Sequence, residues 1–199
     1  MRMILAAAAS LIALPALAES VDIPSGTYTV DNTHASVVWK VSHLGFSNYT
    51  GKFDRSGIDA TVNLDADNVA NSTLNVTLDG QAVNTGHPGD KDFNAEVEGP
   101  KFLNTVEFPS ITFTTTSIDV TGANTAVING DLSLSGQTHP FSLDATLNRA
   151  ADNPMSGKPM LGVSATGTLD RTTWGVNGLA GPIGTEVAIE VEAEFILSE

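Results

Sequence analysis

The side chains with the widest chemical range in this chain are four histidines, His34, His43, His87 and His139, and no cysteine accompanies them. A zinc or copper centre is normally announced by histidines, cysteines or carboxylates spaced so that two ligands share one face of an element. None of these histidines is paired with another at such a spacing, so no metal site is expected unless the fold assembles one. The chain has no Gly-x-Ser-x-Gly elbow, no phosphate-cradling glycine loop and no cysteine nucleophile. Their absence removes the commonest hydrolase and nucleotide-binding chemistries. One adjacent acid-base pair, Asp170-Arg171, remains. Neighbours at a strand end point to opposite sides, so Asp170 is expected to fix a turn and Arg171 to make a surface ion pair. No residue is assigned a catalytic role, and the chain is not read as an enzyme.

The elements that must position these groups are strands. Ile58, Ala60, Val62 and Leu64 alternate with Asp59, Thr61, Asn63 and Asp65, and Leu74, Val76 and Leu78 alternate with Asn75 and Thr77. Near the C-terminus Val187, Ile189, Val191, Ala193, Phe195 and Leu197 share one face, with Glu186, Glu190, Glu192 and Glu194 on the other. A period of two with one dry face is the mark of half-buried strands. Further strands read at 37–41, 111–113, 118–120, 126–134, 141–147 and 161–169. Turn chemistry at Thr121-Gly122-Ala123-Asn124 and Ser135-Gly136-Gln137-Thr138 separates several of them. The fold class is therefore all-β: an antiparallel barrel of about eight strands, with a two-sheet sandwich as the rival. Phe93 and Val97 stand at helical spacing, and Gly99-Pro100 opens a second turn. One or two short helices are expected there, covering a barrel end. The stretch 148–159 reads as a long surface loop.

Register then assigns the interior. His43 lies in line with Val37, Trp39 and Val41, which places it inward near a barrel mouth. Ala60, Ala165, Gly167 and Ala193 also fall in inward registers. An eight-stranded barrel is just wide enough to be filled by side chains, or to hold one small ligand where some of them are small. Both outcomes stay open at this point, a cavity and a packed barrel. A cavity would be apolar and would bind hydrocarbon chains at about 0.8 kcal/mol per buried CH₂.

Composition narrows the partners. The chain has 23 acids against 9 bases, a net charge of −14, which repels nucleic acid and anionic membrane surfaces. At the N-terminus Arg2, an apolar run over 4–14, Pro15 and Ala16-Leu17-Ala18 read as a secretory signal cleaved after Ala18. The apolar run is far short of the roughly 20 residues that span a bilayer. Residues 19–199 are expected to form a single domain with no membrane span and no disulfide.

Five segments in order carry a family resemblance. They are Tyr28-Thr-Val-Asp31-Asn-Thr-His34-Ala-Ser-Val-Val-Trp39-Lys-Val-Ser-His43-Leu-Gly45 and Gly51-Lys-Phe53-Asp; Lys101-Phe-Leu-Asn-Thr-Val-Glu-Phe108-Pro109-Ser-Ile-Thr-Phe113; Asn129-Gly-Asp-Leu-Ser-Leu-Ser-Gly136-Gln-Thr-His-Pro140; and Leu169-Asp-Arg171-Thr-Thr-Trp174-Gly175-Val. The chain resembles the YceI-like family of periplasmic polyisoprenoid-binding proteins with a lipocalin-like barrel. Ala35 departs from the serine the family often has there, and Asp92-Phe93 departs from its Asp-x-x-Leu pattern. The resemblance implies a periplasmic carrier that holds a polyisoprenoid, quinone-like or similar amphiphile as ligand, needs no other cofactor, and is able to form a homodimer. Carried onto this chain, the wall is Val37, Trp39, Val41, Phe46, Phe53, Phe102, Phe113 and Trp174, with His43 and Arg171 near a polar end. An enzyme acting on an apolar substrate in the same cavity, and a packed stress-related barrel without ligand, are the rival readings.

Overall fold

A computed structural model describes residues 20–198; the export signal read at residues 1–18 lies outside them. The strands are β1 (Gly26–His43), β2 (Ser47–Phe53), β3 (Ile58–Leu64), β4 (Thr73–Asp79), β5 (Val83–Asn84), β6 (Ser110–Gly122), β7 (Thr125–Leu134), β8 (Gln137–Asp152), β9 (Pro159–Asp170) and β10 (Ile183–Leu197), with one helix, α1 (Phe93–Glu98). Eight of them form a closed antiparallel barrel in the order β10-β9-β8-β7-β6-β4-β3-β1, and β10 pairs back onto β1. Closure gives every strand of that ring a partner on both sides, though not always over its full length, which is how an antiparallel sheet limits edge exposure. β1 spans the height of the barrel: Gly26 to Thr29 pair with β3, whereas Val37 to His43 pair with β2. β2 in turn carries the two-residue β5. No helix among the described residues is long and apolar enough to cross a membrane.

Two ends follow from this connectivity. The upper end carries the β1–β2 and β7–β8 turns, α1 and the β9–β10 connection. The lower end carries the start of β1 and the β3–β4, β6–β7 and β8–β9 connections. The β7–β8 turn is Ser135-Gly136 with φ of 49° and 75°, the left-handed pair whose twist matches the flanking strands.

Two expectations needed correction. The short strands read at 111–113 and 118–120 are one strand, β6, broken by a bulge between Thr115 and Ser117. The polar stretch 148–159 is mostly strand: β8 runs to Asp152 and pairs with β9 as far as Pro159, leaving a tight loop held by Asn153, whose Oδ1 accepts from the amides of Met155 and Ser156. Composition suggested a loop because the end of β8 carries the exposed polar residues Asn148, Arg149 and Asp152, and the backbone ladder does not depend on apolar side chains. The one or two short helices expected at a barrel end are a single α-helix among the described residues, α1, capped by Asp92 Oδ1 accepting from Ala95 N at 3.0 Å; after Gly99 the chain makes turns.

Candidate functional site

The inward faces of the barrel strands do not meet. They enclose a cavity of about 780 Å³ whose wall is almost entirely hydrocarbon, toward the upper end of the roughly 300–1,000 Å³ range of small-molecule pockets. On β10, Val187, Ile189 and Val191 are only partly buried although they point inward, because they border this space rather than a packed core. Ala60, Ala165 and Ala193 border it too, and their short side chains leave the bore open. Gly167 does not. A Cβ there would meet the Phe141 ring at 2.6 Å and Leu143 at 3.1 Å, so an aromatic ring already uses that room.

Of the residues assigned to the wall from sequence, Val37, Trp39, Val41, Phe53, Phe102 and Phe113 line the cavity, and His43 and Arg171 border it at the upper end. Phe46 does not belong with them and is 91% exposed. It sits in the β1–β2 turn, where Leu44 and Gly45 take left-handed φ of 53° and 74°, so it falls outside the alternation of either strand. Trp174 is buried but turned to another use: its Nε1 donates to Leu132 O at 2.8 Å and its ring meets His139 edge-on at 5.3 Å. It packs behind residues that line the cavity, Leu132, Leu134 and Val176 among them, and is not itself part of the lining.

The rim also contains residues that sequence reasoning did not assign to the site. Tyr49 stacks on Trp39 with ring centroids 6.1 Å apart, Phe93 of α1 meets Tyr49 at 5.7 Å, and His87 meets Phe93 at 5.0 Å. All four line the cavity. Tyr49 Oη donates to Thr85 O at 3.0 Å, which satisfies the hydroxyl and holds the ring. The signal for Tyr49 was present, since Tyr49, Gly51 and Phe53 alternate on β2 and pair with Val41, Trp39 and Val37. Phe93 carried one as well, its place on a helix expected to cover a barrel end, whereas His87 carried none, because only the fold of the segment before α1 brings it there.

The Asp170-Arg171 pair divides as expected for the acid and otherwise for the base. Asp170 Oδ1 accepts from the Thr172 amide at 2.9 Å and hydroxyl at 2.7 Å, and these bonds hold its carboxyl below the usual range, the hydroxyl first. Arg171 forms no surface bridge. It is 5% exposed, and its guanidinium donates to three backbone carbonyls, Nε to Gly184 (2.9 Å), one Nη to Val176 (2.5 Å) and the other to Ile183 (3.1 Å). Burial lowers its pKa, opposed by Asp170. The side chain thus fastens the β9–β10 connection to the barrel floor of the mouth.

One titratable group lies elsewhere. Between Val30 and Ala35 four residues of β1 face the single Glu194 of β10, and this bulge brings His34 Nδ1 to 3.0 Å from Asp31 Oδ2 and 3.7 Å from Glu194 Oε2. The fold has here gathered a trio that spacing alone did not announce. It is exposed, as histidine-carboxylate contacts on an acidic surface commonly are, and its hydrogen bonds account for it without a metal. Of the titratable residues bordering the cavity, His43, Tyr49, His87, Glu96 and Arg171 lie at the upper end, while Glu192 is mid-strand on β10 with its side chain exposed, and the bore offers an apolar chain only van der Waals contact and escape from water.

The YceI-like domain family matches residues 28–195. Protein YceI of Escherichia coli O157:H7 is 34% identical over 171 residues, covering 85% of this chain and 86% of that protein. Among solved structures, BcnA of Burkholderia cenocepacia superposes with a TM-score of 0.70 at 19% identity, covering 83% of this chain and 98% of that one. A polyisoprenoid binding domain from Saccharophagus degradans, described as implicated in plant cell wall breakdown, gives 0.62 at 12% identity, covering 88% and 100%. The two structures share the barrel, and the family match together with the Escherichia coli relative fixes the kinship: this chain belongs to the YceI-like domain family.

Proposed function

We propose that the protein is an exported carrier that works in the periplasm and holds one long isoprenoid-type lipid inside the barrel. In this reading residues 1–18 direct export and residues 19–199 form the single carrier domain. The observation that carries it is the hydrocarbon-lined cavity of about 780 Å³, with a wall that offers an apolar chain contact but no charge along the bore. Each buried CH₂ contributes about 0.8 kcal/mol, so roughly 4 kcal/mol gross per five-carbon unit, before ordering costs and the ceiling on non-covalent affinity intervene. The Saccharophagus degradans domain, described as polyisoprenoid binding, shares the barrel and supports the same guest class. A neutral head group such as a quinone or amide suits a chain of net charge −14 better than a pyrophosphate. The carrier is preferred to an enzyme because the cavity's titratable neighbours are not arranged as a nucleophile with its base.

The test is a thermal-shift panel of polyprenols and quinones against anionic isoprenyl pyrophosphate, followed by native mass spectrometry of protein taken from its own periplasm. A guest at 100 times its Kd adds about 2.7 kcal/mol of stability, which for a domain of this size raises Tm by roughly 5–10 °C. Ala165→Trp, which fills the bore, should lose that gain. A flat panel refutes the carrier, and mainly pyrophosphate in the purified protein refutes the neutral head group.

A further inference from the structure

The barrel wall is not hydrogen-bonded over its whole height. β4 and β6 pair only between Asn75 with Thr114 and Asp79 with Ser110, and β6 then continues to Gly122 with β7 as its sole ladder partner. Where that ladder stops, Thr115 Oγ1 accepts from Leu74 N at 2.9 Å and donates to Leu74 O at 2.8 Å. A side chain finishes the seam in place of backbone, and the bulge after Thr115 follows, a common device where a strand leaves its neighbour. Below this point Ile118 and Val120 of β6 and Leu74 and Val69 opposite them border the same cavity, which runs on to the exposed turn residues Ala123 and Asn124. The axis of the lower end is stoppered differently. Ile23 and Tyr28 are 7% and 0% exposed, and the chain before β1 is strapped to the β3–β4 loop through Val21 N to Ala66 O at 2.9 Å and Ala66 N to Ser25 Oγ at 2.8 Å.

Residues 69–71 of the β3–β4 loop lie alongside β6 there with no ladder between them, and we propose that this unpaired seam is a second, lateral mouth through which the distal end of a long guest leaves the barrel. This rests on the carrier reading and adds what that reading does not contain: the site sets no upper limit on chain length. In a bore closed at one end, each unit beyond capacity must fold back and overpack the wall. In a bore open at both ends, the surplus projects outward, so affinity rises with length until the interior is full and then levels off. The half-buried apolar residues on the β6 flank are what such an exit requires, a surface that a hydrocarbon can cover.

The experiment measures competition by linear prenyl alcohols of increasing length, geraniol, farnesol, solanesol and undecaprenol, against a fluorescent apolar probe. The full mature protein is compared with Ile118→Trp and Val69→Trp, which place an indole at the seam from β6 and from the β3–β4 loop. In the unaltered protein solanesol and undecaprenol should bind alike. Both variants should weaken the two long alcohols about tenfold more than they weaken geraniol and farnesol, and an unchanged urea midpoint certifies their fold. Variants that weaken all lengths equally, or none, overturn the second mouth while leaving the carrier intact, as does an unaltered protein that rejects undecaprenol. Failure of every alcohol to bind the unaltered protein overturns the carrier reading and the second mouth together.

Discussion

Replacing Arg171 by methionine isolates what a buried cation does in a protein whose charge is otherwise on the surface. Methionine keeps most of the stem's packing and removes all three donors, so the carbonyls of Gly184, Val176 and Ile183 lose their partners. Val176 is 5% exposed, and its carbonyl has no ready replacement. Such an orphaned acceptor costs about 1–3 kcal/mol. Gly184 and Ile183 are only partly buried, so water can reach their carbonyls, and each should cost about 0.5–1.5 kcal/mol. The charge has no carboxylate pressed against it, and its removal returns some desolvation energy. The expected net loss is about 2–4 kcal/mol, read as a lower urea midpoint with an unchanged m-value. Arg171→Lys should recover less than half of it, because one ammonium cannot address three carbonyls lying in different directions. A loss below about 1 kcal/mol in Arg171→Met would refute the view that this side chain fastens the β9–β10 connection.

The bulge in β1 makes a pH prediction. His34 is raised above its ordinary 6.5, first by its hydrogen bond to Asp31 and then by Glu194; its contribution to stability is present below 6.5 and lost as pH rises through the raised value. Asp31 is lowered from 3.8, chiefly by the Thr33 hydroxyl and then by His34, so its contribution is present above 3.8 and lost as pH falls through the lowered value. NMR titration should place the His34 midpoint above 6.5 and bring it down in Asp31→Asn; a wild-type midpoint at or below 6.5 contradicts the geometry. Gly51→Ala puts a methyl into the Trp39 ring, which covers that glycine, and should cost about 1–3 kcal/mol by overpacking, with a shift in tryptophan emission; an unchanged spectrum and stability would mean the ring is free to move. Phe46→Ser, at a side chain 91% exposed, should change stability by no more than about 0.5 kcal/mol and leave guest binding intact, whereas loss of binding would return Phe46 to the wall.

The sequence by itself determined the strands and their dry faces. From Val187 to Leu197 every second residue is apolar and glutamates fill three of the positions facing away, and a period of two admits no other element and no other inward set. It also determined the kinship, because the motifs around His34, Phe113, Gly136 and Trp174 lie in order along one chain. The fate of the middle was decided only in three dimensions. Ala165 and Gly167 are both small, both inward by register and two residues apart, yet Ala165 borders open space while Phe141 from β8 covers Gly167. Trp39 and Trp174 are equally apolar, yet one lines the bore and the other is held by Leu132 O. Alternation along a strand fixes the side on which a residue stands. Whether the volume in front of it is filled depends on side chains reaching in from strands and turns distant in sequence, and those distances exist only once the barrel has closed.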